Sequence, residues 1–191
     1  SLVYNWQKEA HQFAPQLNIH LHTGNNRIKD ASLFSKYDLI ITTYGIARID
    51  EDTLSSFYFN YIILDESQNI KNPTSKSFKA IKSLKSKNKL ALSGTPVENS
   101  VSDLWAQMHF TNPGLLGSYT YFQKEFVQPI EKKKDEEKAQ RLQAIVKPFI
   151  LRRTKDQVAR ELPPKTEQVL YCEMTEKQSE FYEKVKSEYR N

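Results

Sequence analysis

The chain holds a single cysteine, Cys172, in 191 residues. An internal disulfide is therefore excluded, and a lone packed thiol suits a reducing compartment. Long apolar runs are absent too: Leu39-Ile40-Ile41 and Tyr61-Ile62-Ile63-Leu64 fall far short of the roughly 20 residues that a membrane span needs. The first residues show no basic stretch leading into an apolar one with a small-residue cleavage site, so no secretory signal is visible. Glycine is scarce, and none of the five, at 24, 45, 94, 114 and 117, is followed by lysine. These residues thus lack a glycine-rich loop ending in Gly-Lys, the usual backbone cradle for a phosphate. Of four histidines only His20 and His22 are close, with no cysteine or acid beside them, and they read as ordinary packed or solvated side chains rather than metal ligands.

What the chain does have is material for one substantial core. Hydrophobic residues make up 38% and charged ones 27%, with ten Tyr and ten Phe, a balance that argues against disorder. The length fits one domain with an appendage. A net charge of +5 leans toward a polyanionic partner without deciding it. Lys76, Lys79, Lys82 and Lys85 recur opposite Phe78, Ile81 and Leu84, the pattern of a half-buried helix with a solvated face.

Apolar runs rich in branched residues at 17–22, 38–43, 60–65 and 88–93 predict strands. The stretches between them, 3–13, about 44–54 and 74–84, predict helices. Such alternation implies βαβ units and a parallel sheet, and the near-continuous apolar character of 39–41 and 61–64 predicts strands covered on both faces. After about residue 100 the alternation stops. Ser102 is placed to cap a helix through Met108, Pro113-Gly114 and Gly117 punctuate the chain, and 118–128 and 135–147 have helical spacing. Lys132-Lys133-Lys134 beside Asp135-Glu136-Glu137 marks an exposed turn and a helix start. A last strand is predicted at about 165–173, followed by a helix from Thr175, whose hydroxyl and Gln178 resemble a capping box.

In open α/β sheets, ligands bind outside the carboxyl ends of the strands. Three such ends carry polar clusters: Thr42-Thr43-Tyr44, Asp65-Glu66-Ser67-Gln68 and Ser93-Gly94-Thr95-Pro96. Adjacent carboxylates at a strand end point in different directions, so one can face a metal while the other faces a reacting water. Alone, each cluster also has a plain reading: a capping or exposed acidic turn for the acid pair, a glycine turn for 93–95, and β-branched strand content for Thr42 and Thr43.

Taken in order, the segments SLVYNWQKEAHQFAP, DLIITTYGIAR, YIILDESQ, LALSGTP and FILRRTKDQVARELPPKTEQVLYCEMT resemble the Swi/Snf-related ATPases of helicase superfamily two, over nearly the whole chain. The Ser67-Gln68 ending resembles bacterial members. The resemblance implies a RecA-like first motor lobe built from 1–111 and 165–174, a helical insertion at 112–164, and a helix at 175–191 leading toward a second lobe. It implies ATP and Mg²⁺ as ligands, with Asp65 holding the metal through water, Glu66 activating the hydrolytic water and Gln68 sitting between the lobes. Ser93, Gly94 and Thr95 match the motif that links nucleotide state to DNA grip, and Thr42, Thr43 and Tyr44 match a segment contacting the phosphates of a DNA strand. The implied partners are double-stranded DNA and a second motor lobe of the same chain, in a monomer located with the nucleoid in a bacterium or in the nucleus of a eukaryote. Without a Gly-Lys loop, these residues alone are expected to be inactive. The rival reading is a non-hydrolysing DNA- or protein-binding scaffold derived from a motor lobe.

Overall fold

The computed structural model of the chain describes residues 2–94, 100–153, 157, 168–169 and 174–188. It divides into two compact units, Ser1–Ile150 and Leu151–Asn191. The first runs α1 (Leu2–Phe13), β1 (Ile19–Leu21), a 3-10 turn (Ala31–Lys36), β2 (Leu39–Ile41), α2 (Tyr44–Ile49), α3 (Glu51–Ser55) and β3 (Tyr58–Leu64). It continues with a 3-10 turn (Ser67–Ile70), α4 (Lys76–Ser83), β4 (Lys85–Ala91), α5 (Val101–Thr111), α6 (Tyr119–Phe122), a π-helical stretch (Gln123–Lys132), α7 (Glu136–Val146) and a closing 3-10 turn (Lys147–Phe149). The fold is mixed α/β with parallel strands flanked by helices.

The single sheet expected from the sequence is, among the described residues, two parallel pairs. In one, Ile19 to Leu21 pair with Leu39 to Ile41; in the other, Tyr58 to Leu64 pair with Lys85 to Ala91. The ends of the two pairs meet on one rim, because Tyr44, just past β2, donates its hydroxyl to the carbonyl of Asp65, just past β3, at 2.7 Å. The expectation that 61–64 is covered on both faces is corrected: Tyr61 and Ile63, with Leu90 opposite Ile63, are exposed, while Leu64 is buried and Ile62 packs against the core. Strand β4 also begins at Lys85 rather than 88, since pairing with Tyr58 and Phe59 holds Lys85 and Ser86 extended despite their polarity.

The helix read over 44–54 is two helices, α2 and α3, broken at Asp50. That carboxylate is drawn away to His22 and Arg27, which fixes the residue outside the helical repeat. In α4 the lysines at 76, 79 and 82 are exposed and Phe78 and Ile81 are buried, but Lys85 belongs to β4. Ser100, not Ser102, caps α5, its hydroxyl accepting the Ser102 N–H at 3.0 Å. The segment after 118 starts as α-helix under a Ser118 cap and widens at Gln123 into π turns that carry Pro129. Proline has no N–H and its ring presses on the carbonyl four residues back, so the wider turn tolerates it where an α-helix would kink.

Phe34, Phe110 and Phe122 are fully buried, each stabilising the fold by roughly 1.5–3 kcal/mol. They lie in one core with Ile70, Phe78 and Trp105, and Phe126, Leu142 and Val146 bring the π-helical stretch and α7 into it. In the second unit α8 (Glu176–Glu188) is largely exposed. Gln178 reaches back to accept the Thr175 N–H at 3.0 Å, the reciprocal half of a capping box, while the Thr175 hydroxyl donates to the same oxygen at 3.2 Å. The strand expected at 165–173, Cys172 and the boundary at 164 fall outside the described residues, apart from 168–169.

Candidate functional site

The acid pair sits where β3 ends. Buried Leu64 and fully buried Ser67 clamp it on either side. The Leu92 N–H donates to the Leu64 carbonyl at 2.7 Å, and the Ser67 N–H donates to the Leu92 carbonyl at 2.9 Å, tying the turn to the end of β4. The Ser67 hydroxyl donates to Oε1 of Gln107 on α5 at 3.1 Å. Between these anchors Glu66 adopts φ 49° and ψ 52°, a left-handed conformation that costs a side-chain-bearing residue about 1–2 kcal/mol. Its carbonyl partly offsets this by accepting the Asn69 N–H at 3.0 Å and side-chain amide at 2.8 Å. Strain of this kind concentrates at sites where geometry serves chemistry.

Asp65 is held by three donors. The Glu66 N–H reaches Oδ1 at 3.0 Å, the Trp6 indole N–H reaches Oδ2 at 2.8 Å, and the Tyr44 hydroxyl reaches its carbonyl. Burial, with the carboxylates of Asp65 and Glu66 beside it, pushes the Tyr44 phenol well above its usual range, so it remains a donor at any ordinary pH. Glu66 is exposed, and its Oε2 accepts the Gln68 side-chain amide at 2.7 Å. The oxygen of that same amide accepts the Ser93 hydroxyl at 3.1 Å. A hydrogen-bonded line thus runs Glu66–Gln68–Ser93, from one strand end to the next. Gly94 is exposed beside it, and Thr95 lies outside the described residues.

The third cluster divides its hydroxyls between inward and outward directions. The Thr42 hydroxyl donates inward to the His22 carbonyl at 2.9 Å, and Tyr44 turns to Asp65. Thr43 is exposed and caps α2, accepting the Ile46 N–H at 3.2 Å, so its own O–H is left to donate outward. The sequence reading did not find Trp6, Gln107 or the inward role of Tyr44. Only the placement of Trp6 inside a family-like segment pointed toward the first, and nothing local marks the other two.

Behind Thr42 lies a buried polar knot. His22 is fully buried, accepts the Ile28 N–H on Nδ1 at 3.1 Å and donates from Nε2 to Asp50 at 3.0 Å. Burial lowers its pKa, against the opposing pull of Asp50. Arg27 and Lys29 complete the knot on the other Asp50 oxygen at 3.2 and 3.8 Å. Among the described residues no three His, Cys, Asp or Glu side chains converge in a metal-holding group.

Residues 1–190 match the SNF2-related domain family. The chain is 43% identical to the "Putative ATP-dependent helicase/translocase YwqA" of Bacillus subtilis over 190 residues, 97% of this chain and 21% of that protein. It is 40% identical to the "TATA-binding protein-associated factor mot1" of Schizosaccharomyces pombe over 191 residues, 93% of this chain and 10% of that one. It therefore spans between a tenth and about a fifth of these curated relatives. Its fold superimposes on the Sulfolobus solfataricus SWI2/SNF2 ATPase core in complex with dsDNA with a TM-score of 0.77 and 45% identity, covering 100% of this chain and 40% of that core. The Sulfolobus solfataricus SWI2/SNF2 ATPase core domain gives a TM-score of 0.72 at 45% identity, covering 100% of this chain and 39% of that one. The chain belongs to the SNF2-related family and corresponds to the N-terminal lobe of its helicase-like ATPase motor.

Proposed function

We propose that this chain supplies one wall of the ATP cleft in a motor that hydrolyses ATP when bound to duplex DNA and moves along it. The observation that carries this reading is the Glu66–Gln68–Ser93 line beside Asp65 on one strand rim. Asp65 is the acid that holds Mg²⁺ through water, and Glu66 is the base. The donor set fits that metal: Mg²⁺ at phosphoryl-transfer sites takes one or two carboxylates and keeps its waters and the substrate's phosphate oxygens, so no all-protein cage is called for. Bound Mg²⁺ neutralises charge on the β- and γ-phosphates. Glu66, tethered through Oε2, keeps Oε1 to accept the proton of the attacking water. Gln68 then carries any movement of that carboxylate to Ser93 and Gly94, and with Thr95 these form the coupling segment.

DNA is met on the same rim. Thr43, exposed and with a hydroxyl proton to give, is the side chain suited to a phosphate oxygen, while Thr42 and Tyr44 support it from behind. The net charge of +5 and the duplex in the complex of the Sulfolobus solfataricus core both favour double-stranded DNA. A second lobe of the same polypeptide forms the cleft's other wall, and the motor acts as a monomer with the nucleoid or in the nucleus.

The test is steady-state ATPase with and without duplex DNA, together with nucleotide binding, on the full-length protein. Glu66→Gln keeps the shape of the carboxylate but not its basicity, so DNA-stimulated turnover falls by ~10²–10⁴-fold with ATP binding nearly intact. Asp65→Ala weakens Mg-ATP binding as well. Retention of more than about a tenth of turnover in Glu66→Gln overturns the assignment of Glu66 as the base, whereas a wild-type protein without DNA-stimulated turnover favours the scaffold.

A further inference from the structure

We propose that Trp6 is a positioning residue for Asp65, its indole N–H fixing the plane of the carboxylate from which Mg²⁺ is held. The inference rests on the reading of Asp65 as the metal's acid. It begins from a hydrogen bond of 2.8 Å between residues 59 apart in sequence, from α1 to the end of β3. A bond to an ionised carboxylate is about twice as strong as a neutral one.

The two tryptophans show what each ring is for. Trp105 is 5% exposed, stacks on His109 and spends its N–H on the Gly117 carbonyl, as a core residue does. Trp6 is 43% exposed, so burial explains less of it, and its one polar group is aimed at Asp65. An indole N–H donates and never accepts, so it orders the carboxylate without competing for a metal's waters.

With the Glu66 N–H on Oδ1 and Trp6 on Oδ2, rotation of the carboxylate about its Cβ–Cγ bond breaks one bond or the other. Each oxygen keeps lone-pair capacity for a metal-bound water. The Tyr44 hydroxyl on the Asp65 carbonyl fixes the backbone below. Removing the indole donor frees the carboxylate to rotate, and the cost falls on metal affinity before it reaches the chemical step.

The experiment uses the full-length protein with two replacements at position 6: Trp6→Phe, and the benzothiophene analogue of tryptophan, which keeps ring size but has no N–H. The first readout is the Mg²⁺ concentration that half-saturates binding of a fluorescent ATP analogue. The second is the ¹⁹F resonance of 5-fluorotryptophan at position 6. Both replacements are expected to raise the half-saturating Mg²⁺ about tenfold, the lower end of what losing a ligand's hydrogen-bonded support costs a metal. DNA affinity is expected to stay within about twofold, and the ¹⁹F resonance to move in Asp65→Asn and on addition of Mg-ADP. A benzothiophene variant with wild-type Mg²⁺ dependence overturns the proposal and leaves Trp6 a packing residue, even where Trp6→Phe fails to fold. Asp65→Ala, run alongside, separates the two levels: if it too leaves Mg²⁺ dependence unchanged, the reading of Asp65 falls; if it shifts and the benzothiophene variant does not, only the role of Trp6 falls.

Discussion

At the level of single residues, His22 and Asp65 show two uses of buried or half-buried polarity. Asp65 collects donors on the rim and is only half-buried, whereas His22 is sealed beside Asp50, His20 and Phe34, with Arg27 on the far oxygen of Asp50. Burial lowers the folded pKa of His22 below its unfolded value, so between the two values the unfolded chain binds more protons than the folded one. Stability is therefore full above about pH 6.5 and is lost as the pH falls from there through the folded value. His109, lowered by burial and by Lys82 and Lys89, adds a loss of the same sign. Thermal melts between pH 7.5 and 5 should show a falling midpoint, and His22→Gln should flatten that slope while lowering the midpoint at pH 7.5. An unchanged slope in His22→Gln would remove His22 as a cause.

Among elements, the informative joint is between α5 and the π-helical stretch. Glu131 Oε1 accepts both the Ser100 hydroxyl at 2.8 Å and the Val101 N–H at 2.7 Å, so a carboxylate from a later element satisfies the first turn of α5. Glu131→Ala is expected to cost about 1 kcal/mol in urea unfolding, the usual worth of a helix cap. Because α5 carries the Gln107 that holds Ser67, the same variant should depress turnover in the full-length protein without altering the Mg²⁺ requirement. This joint also marks where the sequence stopped being legible. The strand ends, the parallel pairing and the acid pair were readable, because branched apolar runs and the polar clusters after them are local signals. Bonds from Trp6 to Asp65, Ser67 to Gln107 and Ser100 to Glu131 were not, since they join residues 59, 40 and 31 positions apart and depend on tertiary packing alone. The break of the 44–54 helix was hidden for the same reason: Asp50 looks like any helical acid until His22 and Arg27 claim it. Nor does the sequence show that the Thr42 and Tyr44 hydroxyls turn inward, to the carbonyls of His22 and Asp65.

On the scale of the whole chain, the acid pair and the phosphate cradle part company. None of the five glycines precedes a lysine, so these 191 residues hold the proposed base and metal acid but no Gly-Lys loop to surround a β-phosphate. Positioning and charge neutralisation supply most of the catalysis in phosphoryl transfer, and both depend on that loop. On the proposed roles, a chain with Asp65 and Glu66 alone would meet Mg-ATP through a single water-mediated anchor. We expect calorimetric titration of the 191-residue chain with Mg-ATP to give no tight, stoichiometric binding, and its hydrolysis to match a buffer blank. Duplex DNA should behave differently, because the proposed contact through Thr43 and a basic surface needs neither acid, and its affinity should fall steeply with added salt as counterion release requires. Asp65→Ala and Glu66→Gln in this chain should leave that DNA affinity and its salt slope unchanged. Tight Mg-ATP binding by the chain alone would mean that this fold cradles phosphate by other backbone groups, and the division of labour between the acid pair and the Gly-Lys loop would have to be redrawn.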